Sequence, residues 1–441
     1  MYTVGLYTLG CKVSSYETEA VAEEFVRAGL SIGPFFGVCD VYVINTCTVT
    51  REGDAKSRKY IRRARRQNPS AVICVMGCYS QRAPDEIREM NTADIIVGTD
   101  RKLETVRLAL EMLRARESGK ETPPVVTVGA LDGVGFEPMT VKHAPRTRAY
   151  VKIEDGCECK CSYCAIAAAR GPVRSKAPDE VVSEVKGLSA SGTEEVVLTG
   201  IETGSYGKDI GTSLAELIAR LEDESACRRV RLGSMAPELL SEDFITRVAS
   251  SGILVPHFHV SMQSGSTAVL RLMKRRYSRE GAMKNLRRIR ELMPRVMFTA
   301  DLMVGFPGES EEDFLETMSF VSEAELLDAH VFAYSERDGT PAASYPGKIP
   351  ESVKHERSAA LIAEKNRVRD GVLSRVCAEG EVLPVIFESR SGEYFTGHTD
   401  SYIEVRAKTG CDISGRLLRL LPVEAKDGII YGEIVDNIGE K

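Results

Sequence analysis

The sequence predicts an α/β protein in three parts: an N-terminal parallel α/β domain of the Rossmann or flavodoxin-like type, a central domain of six βα units, and a small C-terminal antiparallel β-barrel. Apolar strand-like runs alternate with helical segments through the first 116 residues or so, as in a parallel sheet covered on both faces. The alternation resumes six times between residues 150 and 335. After residue 380, short alternating segments are separated by turn residues, which is typical of a small barrel.

The N-terminal domain, residues 1–118, is predicted from four strands and two clear helices. The strands are expected at 2–9, 40–46, 71–77 and 94–98, and the helices at 15–29 and 54–67. A stretch rich in Pro and Gly follows at 119–145. It is predicted to be an interdomain linker with room for one short strand.

The central domain is predicted to span residues 146–376 and to end in a helix over 351–375. Its strands are expected at 149–153, 195–199, 229–234, 257–262, 297–304 and 329–334. Six consecutive βα units are compatible with a partial barrel or with an open sheet. In both cases chemistry belongs at the carboxyl ends of the strands. The antiparallel barrel is expected to occupy 377–441.

Composition narrows the functional class. The chain has 441 residues with a formal net charge of -6, so it is not a basic nucleic-acid binder as a whole. It contains no apolar run of membrane-spanning length and no signal-peptide pattern. We therefore expect a cytoplasmic protein that does not contact a membrane. Twelve cysteines in a cytosolic chain argue for metal or redox chemistry rather than disulfides.

Three cysteines, Cys11, Cys47 and Cys78, each follow a predicted strand of the first domain. The carboxyl ends of neighbouring parallel strands converge, so these side chains are expected to meet in one crevice. A structural zinc ion normally needs four N or S ligands, and no fourth ligand follows a strand here. Cys39 precedes its strand and Cys74 lies inside one, so both are interpreted as small buried hydrophobes.

A second group of cysteines follows the first strand of the central domain in "DGCECKCSYCAIA", residues 155–167. Cys157, Cys161 and Cys164 have the spacing C-x3-C-x2-C. Three thiolates on one loop can bind three irons of a [4Fe–4S] cluster and leave the fourth iron without a protein ligand. A zinc knuckle is the alternative that this spacing also permits. Cys159 lies between the first two ligands and has no obvious role.

The C-x3-C-x2-C loop resembles the signature of the radical S-adenosylmethionine (SAM) enzymes, and its extended form resembles the methylthiotransferase family among them. Further matching strings are "TLGCKVSSYETE", "NTCTVT", "GCYSQ", "VLTGIETGSYG", "HVSMQSGS", "VGFPGESEEDF" and "YSERDGTPAA". The last domain resembles the TRAM barrel of these proteins. The strings "TLGCKV" and "NTCTVT" and the basic helix look most like the branch acting on N6-threonylcarbamoyladenosine in tRNA.

The resemblance implies a partial (βα)6 radical SAM barrel and a transferase with two [4Fe–4S] clusters. SAM would bind the open iron of the Cys157, Cys161 and Cys164 cluster and yield a 5′-deoxyadenosyl radical, which removes hydrogen from C2 of adenine. The Cys11, Cys47 and Cys78 cluster would carry the sulfur. The implied partners are tRNA, an electron donor such as flavodoxin or ferredoxin, and a sulfur source, with the protein acting as a monomer.

The sequence departs from the family pattern at three positions. Ser14 stands where the family usually has Asn, and Ala167 where it usually has Pro, so the second loop is expected to be less rigid. Cys159 occupies a position that is more often polar. None of these departures removes a cluster ligand.

Five residues are candidates for SAM contacts because they lie beside the cluster loop or at strand ends: Tyr163, Gly200, Ser234, Gln263 and Arg276. Tyr163 is placed to flank adenine, and a glycine at 200 lets backbone approach the ligand closely. Ser234 and Gln263 could hydrogen-bond to methionyl or ribose groups, and Arg276 could pair with the carboxylate. The alternatives are a packing aromatic, a plain turn and a solvated helix charge.

RNA contacts are expected mainly from "KSRKYIRRARR", residues 56–66, in which seven of eleven residues are basic. The candidates there are Lys56, Arg58, Lys59, Arg62, Arg63 and Arg66. Arg170 and Arg174, after the cluster loop, are further candidates for contact with phosphate or the bound nucleotide. The alternative for a charge run is a solvated helix face. The barrel from 379 to 441 has twelve acidic and seven basic residues, which is unexpected for a domain that grips tRNA.

Three functions remain open from the sequence. The first is methylthiolation of N6-threonylcarbamoyladenosine in tRNA, which the basic helix favours. The second is the same chemistry on isopentenyladenosine in tRNA or on a ribosomal protein side chain. The acidic barrel fits the ribosomal protein substrate better. The third is a non-catalytic iron–sulfur electron carrier, although such carriers usually give every iron a protein ligand.

Overall fold

A computed structural model describes residues 1–436. The first domain is a six-stranded, all-parallel sheet with strand order β2-β1-β3-β4-β5-β6. Its strands are β1 (Thr3–Thr8), β2 (Ser31–Gly33), β3 (Val41–Thr46), β4 (Val72–Gly77), β5 (Ile95–Val97) and β6 (Val125–Thr127). Its helices are α1 (Lys12–Arg27), α2 (Arg51–Gln67), α3 (Cys78–Arg82), α4 (Pro84–Glu89) and α5 (Glu104–Glu117).

The four strands predicted for this sheet are present, and the structure adds two short ones at its edges. All six residues of β3 and of β4 are buried, as expected for central strands with helices on both faces. The added strands, β2 and β6, have three residues each, too few to show a periodic pattern. Strand β6 lies in the expected linker and pairs with β5, so part of that stretch extends the first sheet.

In the central domain, the strands of successive βα units are neighbours in the order in which they occur along the chain. The strands that build the wall are β7 (Arg148–Lys152), β10 (Glu195–Thr199), β11 (Arg229–Leu232), β12 (Ser234–Met235), β13 (His257–Gln263), β14 (Met297–Val304) and β15 (Asp328–Ala333). A small hairpin of β8 (Glu154–Asp155) and β9 (Arg174–Ser175) lies beside the cysteine loop. The helices are α6 (Ile166–Arg170), α7 (Pro178–Ala190), α8 (Leu214–Asp223), α9 (Glu242–Val248), α10 (Thr267–Leu272), α11 (Arg279–Leu292) and α12 (Glu311–Glu323).

These strands form two parallel sheets, β7-β10-β11 and β12-β13-β14-β15, that meet at Gly233. A Cβ at Gly233 would lie 2.8 Å from Oγ1 of Thr203, so the third strand can turn from one sheet to the next only without a side chain there. Within residues 1–436 no ladder joins β15 to β7. The wall is therefore a partial (βα)6 barrel, open along one side.

The C-terminal domain follows a 29-residue helix, α13 (Glu351–Glu379). It is a closed five-stranded barrel in the order β16-β17-β18-β20-β19. The strands are β16 (Leu383–Ser391), β17 (Tyr394–Thr399), β18 (Glu404–Lys408), β19 (Leu417–Lys426) and β20 (Ile429–Ile434). The end of α13 packs into the apolar core of this barrel, so the small barrel is anchored on the central domain.

Tyr402, in the loop between β17 and β18, fastens the small barrel to the central one. Its ring stacks on His257 with a centroid distance of 4.6 Å and on His398 at 4.9 Å. The guanidinium groups of Arg148 and Arg231 lie 5.2 and 5.0 Å from the ring centroid. Tyr402 therefore closes the floor of the central barrel at the amino ends of its strands. No helix within residues 1–436 is long and apolar enough to cross a membrane.

Candidate active site

Cys11, Cys47 and Cys78 lie at the carboxyl edge of the first sheet, as expected. Cys11 caps the start of α1, Cys47 directly follows β3, and Cys78 begins α3 directly after β4. The loops approach closely, since a Cβ built on Gly10 would lie 3.3 Å from Cβ of Cys47. Because β1, β3 and β4 are neighbours in the sheet, the three thiols face one crevice.

The three cysteines of the second motif each accept one N–H donor. The backbone N–H of Cys159 donates to Sγ of Cys157, and that of Ile166 donates to Sγ of Cys164, both at 3.4 Å. Nη1 of Arg275 lies 3.1 Å from Sγ of Cys161. Such donors stabilise sulfur in its anionic form, which is the form that binds metal.

Cys159 differs from these three cysteines, because within residues 1–436 its sulfur accepts no N–H donor. Its partner is the neighbouring thiol. The hydrogen bond from Cys157 lowers the pKa of Cys159 to about 6, and Arg275 acts in the same direction. The same bond raises the pKa of Cys157.

Both trios suit a four-iron cluster better than a single ion. Within the described residues, no three His, Cys, Asp or Glu side chains converge on one ion position. A zinc ion requires that convergence. A [4Fe–4S] cube binds each thiolate on a different iron, so its ligands surround the cluster instead. The donor set, three thiols per crevice, therefore fits two such clusters.

Arg170 links the two cysteine sites. Helix α6 starts at Ile166, whose N–H donates to Cys164, and ends at Arg170, whose Nε lies 3.1 Å from Sγ of Cys78. One turn of helix thus connects a thiol of the second site to a thiol of the first. Burial raises the pKa of Cys78 to about 11, and the positive charge of Arg170 opposes that rise.

A buried network of charges surrounds Arg170. Oε1 of Glu17, on α1, lies 2.5 Å from Nη1 of Arg170, 2.9 Å from Nζ of Lys152 and 3.1 Å from Nζ of Lys102. Asp155 accepts from Lys152 at 2.5 Å and from Arg170 at 3.2 Å. Every member is at most 2% exposed. The network joins the first domain to the central one.

Arg170 and Arg174, which were expected to contact phosphate or the bound nucleotide, are both buried among protein groups. Arg170 is fully buried and its donors serve Glu17, Asp155 and Cys78. Arg174 is 5% exposed and lies 3.6 Å from Asp155. The sequence contained no local signal of this, because Glu17 and Cys78 belong to another domain.

The candidate SAM residues differ in their positions within the central domain. Tyr163 is half-buried and meets Phe306 edge-on at 6.3 Å between ring centroids. Ser234 begins β12 directly after Gly233. Gln263 ends β13 in a left-handed conformation, with φ of 66°. A left-handed non-glycine residue is uncommon and often marks a functional position.

The arginine whose side chain reaches a cysteine of the cluster loop is Arg275, one residue before the expected Arg276. Arg275 contacts Cys161, Tyr277 and the carbonyl of Ser261. Arg276 is exposed and donates to the carbonyl of Glu158 at 3.3 Å. The string "MKRRYS" did not distinguish the two arginines.

Two buried acids beside Gly200 were not expected. A Cβ at Gly200 would collide with the carboxylate of Glu154, so the glycine is required for close packing. Glu154 accepts the N–H of Glu202 at 2.9 Å. Burial raises the pKa of Glu202 to about 7 and raises that of Glu154 well above its usual range. The repeated glycines of "GIETGSYG" were the only feature of the sequence that indicated close packing at this position.

The basic helix α2 presents part of its charge to solvent. Lys59, Arg62 and Arg66 are exposed, and none has a carboxylate within 4 Å in residues 1–436. Arg63 is also exposed and lies 4.3 Å from the ring centroid of Phe36. Two candidates are engaged otherwise. Lys56 pairs with Glu52 at 2.7 Å, and Arg58 donates to the hydroxyl of Tyr79 at 2.9 Å.

Lys12, next to Cys11, is partly buried. Burial lowers the pKa of its ammonium group, the like charges of Arg148 and Arg231 act in the same direction, and Asp301 opposes them.

Family models match two parts of the chain. The model of the radical SAM superfamily matches residues 151–321, and that of uncharacterized protein family UPF0004 matches residues 3–98. Among solved structures, the radical SAM methyltransferase TsrM from Kitasatospora setae, with tryptophan and a SAM analogue bound, aligns with a TM-score of 0.56 at 16% identity. That alignment covers 78% of this chain and 75% of the other, and it supports the fold. The fold and the cysteine loop define a radical SAM enzyme.

Full-length relatives are more specific. The threonylcarbamoyladenosine tRNA methylthiotransferase MtaB of Bacillus subtilis is 39% identical, covering 98% of this chain and 96% of the relative. The enzyme of the same name from Aquifex aeolicus is 35% identical over 95% and 99%. The tRNA-2-methylthio-N(6)-dimethylallyladenosine synthase of Acetivibrio thermocellus is 30% identical over 98% and 90%. The chain belongs to the radical SAM tRNA methylthiotransferases, which are transferases that use SAM and [4Fe–4S] clusters.

Proposed function

We propose that this protein inserts a methylthio group at C2 of N6-threonylcarbamoyladenosine next to the anticodon of tRNA. The observation that carries the proposal is the difference in similarity between two kinds of relative. Three relatives named for threonylcarbamoyladenosine are 35 to 39% identical, and a fourth is 31% identical. Relatives named for the dimethylallyl nucleoside are 30 to 32% identical.

In this proposal Cys157, Cys161 and Cys164 hold the cluster that binds SAM, and Cys11, Cys47 and Cys78 hold the second cluster. The cofactors supply a 5′-deoxyadenosyl radical and the sulfur to be transferred. The residues of the chain position these groups. Arg275 and Arg170 each donate to one ligand sulfur at 3.1 Å. Such hydrogen bonds help to set cluster potentials.

The proposed SAM contacts are Tyr163, Gly200, Ser234 and Gln263, and Arg275 joins them in place of the exposed Arg276. The proposed tRNA contacts are the exposed cations of α2. An external electron donor such as flavodoxin or ferredoxin and a sulfur source complete the reaction. We further propose that the protein works as a monomer in the cytoplasm, where its tRNA substrate is found.

The alternative substrate is isopentenyladenosine in tRNA. It is supported by relatives such as the synthase of Acetivibrio thermocellus, which cover nearly the whole chain. In both cases the cluster arrangement and the RNA partner are the same, and only the substituent on N6 differs.

The test is anaerobic reconstitution with iron and sulfide, followed by addition of SAM, a reductant and tRNA that lacks the modification. Nucleosides from the digested tRNA are separated and identified by mass. The expected product is the 2-methylthio derivative of threonylcarbamoyladenosine. A product found only on isopentenyladenosine, with none on threonylcarbamoyladenosine, would overturn the substrate proposal and support the alternative.

A further inference from the structure

The inner face of the central barrel can be followed along β13, β14 and β15, the three strands that lead to its open side. Phe298, Ala300 and Ala329 belong to the main apolar core, which also contains residues of helices α12 and α13. Since successive side chains of a strand point to opposite faces, the intervening residues point away from these helices. They include Asp301 on β14 and His330 on β15, which are ladder partners. The face with Asp301 and His330 therefore lines the inside of the barrel.

Near the amino ends of these strands the inner face is polar, and its groups bind one another. Oγ1 of Thr299 lies 3.0 Å from Nε2 of His257 and 2.8 Å from Nδ1 of His259. The carboxylate of Asp301 lies 3.2 Å from Nε2 of His259 and 3.7 Å from Nδ1 of His330. These polar groups are therefore engaged within the protein and do not require a ligand.

Phe332 lies two residues beyond His330 on β15, on the same face and nearer the carboxyl end. Its side chain is 36% exposed, whereas its chain neighbours Val331 and Ala333 pack against the main apolar core. No aromatic ring or cation within residues 1–436 stacks on the ring of Phe332. Single exposed apolar side chains are common on outer surfaces. This ring instead faces the inside of an open barrel, at the end of the strands where chemistry belongs.

Ladder pairing relates Phe332 to the cysteine loop of the central domain. Met303 of β14 is the ladder partner of Phe332, so the two side chains are neighbours on the inner face. Met303 belongs to an apolar cluster against which Tyr163 packs. Tyr163 directly precedes Cys164 in the loop. Met303 therefore connects Phe332 to the apolar group that contacts the cysteine loop.

We propose that the ring of Phe332 stacks against the adenine of the target nucleotide. The inference rests on the proposed function and adds the residue that holds the base. A base taken out of a nucleic-acid stack is commonly held against an aromatic or apolar side chain, because every base has a flat apolar face. Phe332 supplies such a ring on the edge strand of the open side, where a nucleotide of a folded RNA can reach the inside of the barrel.

Stacking on Phe332 is independent of the substituent on N6. Threonylcarbamoyladenosine and isopentenyladenosine share the same adenine ring, so Phe332 would hold either base. The proposal therefore concerns recognition of the base, and its test does not depend on which of the two nucleosides is the substrate.

The experiment compares three anticodon stem-loop RNAs bound to reconstituted holoenzyme. Two carry threonylcarbamoyladenosine or isopentenyladenosine at the target position, and the third carries an abasic ribose there. The variants are Phe332→Ala and Phe332→Tyr. Phe36→Ala is the matched control, because Phe36 is also an exposed phenylalanine and belongs to the first domain. The readouts are the dissociation constant of each RNA without SAM, followed by fluorescence anisotropy, together with iron content and kcat/KM.

The unmodified protein is expected to bind both adenine RNAs at least about fivefold more tightly than the abasic RNA, a difference of about 1 kcal/mol. Phe332→Ala should reduce this ratio to about twofold or less, because the stacking surface is lost. Its iron content and its affinity for the abasic RNA should match those of the unmodified protein. Phe332→Tyr keeps an aromatic ring and should keep the ratio, and so should Phe36→Ala. The kcat/KM of Phe332→Ala should fall by about fivefold or more.

Three results would overturn the stacking. The first is equal affinity of the unmodified protein for the adenine and abasic RNAs. The second is a ratio that Phe332→Ala leaves unchanged. The third is an equal loss of affinity for all three RNAs in Phe332→Ala, which would assign the side chain to the fold or to backbone contacts. Failure of the unmodified protein to methylthiolate threonylcarbamoyladenosine would instead refute the proposed function, and the binding ratios would still decide the role of Phe332.

Discussion

Hydrogen-bond donors distinguish Cys159 from the cysteines on either side of it. Cys157, Cys161 and Cys164 each accept an N–H, whereas the sulfur of Cys159 accepts none within residues 1–436. The spacing in the sequence also separates these three residues from Cys159.

Replacing Cys159 with Ala is expected to leave about eight irons per chain, as in two four-iron clusters. No N–H within residues 1–436 donates to the sulfur of Cys159, so nothing stabilises its thiolate as a metal ligand. Loss of this side chain should therefore not weaken metal binding. Iron and sulfide assays after anaerobic reconstitution provide the measurement, with Cys161→Ala as the control that loses about four irons. A drop to about four irons in Cys159→Ala would show that Cys159 is a ligand.

Arg275 illustrates a limit of sequence reasoning at this scale. Adjacent arginines have the same chemistry, and only the direction of the side chain decides which one reaches Cys161. That direction follows from the turn after α10, where Lys274 adopts a left-handed conformation with φ of 57°. The residue type does not predict that this lysine has a left-handed backbone conformation.

At the scale of the element, helix α2 carries basic side chains of two kinds. One kind is bound to other groups of the protein, and the other is exposed to solvent. Arg65 is held by Asp94 at 2.6 Å and by the carbonyls of Thr92 and Ala71, so it stabilises the domain. Lys59, Arg62 and Arg66 remain exposed with no carboxylate partner in the described part of the chain. Residues three, four and seven apart share one face of a helix, so these three charges form a single stripe.

Replacing Lys59, Arg62 and Arg66 together with Ala is expected to weaken tRNA binding and to lower the slope of log K against log salt by about 2 to 3, one phosphate contact being lost per cation. Binding is measured by anisotropy at several salt concentrations. The matched control replaces Arg114, Lys284 and Arg287, which are also exposed, and should leave the slope unchanged. Equal slopes for both triple variants would mean that the stripe does not contact RNA.

At the scale of the whole molecule, the first and central domains are joined by a buried network of charged side chains as well as by apolar contacts. Burial by itself would raise the pKa of Glu17, but Arg170, Lys102 and Lys152 outweigh it and hold that pKa well below its usual range. The stability that Glu17 contributes is therefore complete above the pKa of about 4.3 of an unfolded Glu. It is lost only as the pH falls towards the lower folded-state pKa.

Glu17→Gln is expected to lower the free energy of unfolding by about 3–5 kcal/mol at neutral pH, because it leaves three buried cations without their shared carboxylate. Urea denaturation of the reconstituted protein, followed by circular dichroism, measures the change. Glu24→Gln on the same helix removes only a surface pair with Arg27 and should change the stability by less than about 1 kcal/mol. Similar losses in both variants would contradict a special role for Glu17.

Much of this organisation could be predicted from the sequence. The spacing of about one βα unit between Cys11, Cys47 and Cys78 placed them at one edge of a parallel sheet, and the short strands after residue 380 predicted the closed barrel. The contact of Arg170 with Cys78 could not be predicted, because the residues are 92 positions apart and belong to different domains. The packing of Tyr402 beneath the central barrel could not be predicted either, because a single aromatic residue in a loop forms no sequence pattern.

The Glu17 network also limits how this protein can exchange parts with its relatives during evolution. The carboxylate is encoded in the first domain, and two of its three cations, Lys152 and Arg170, are encoded in the second. A recombination event between the two domains would combine a carboxylate from one parent protein with cations from another. Such a hybrid gene would survive selection only if both parents had kept the same arrangement of charge, so the two domains are expected to be inherited as one unit.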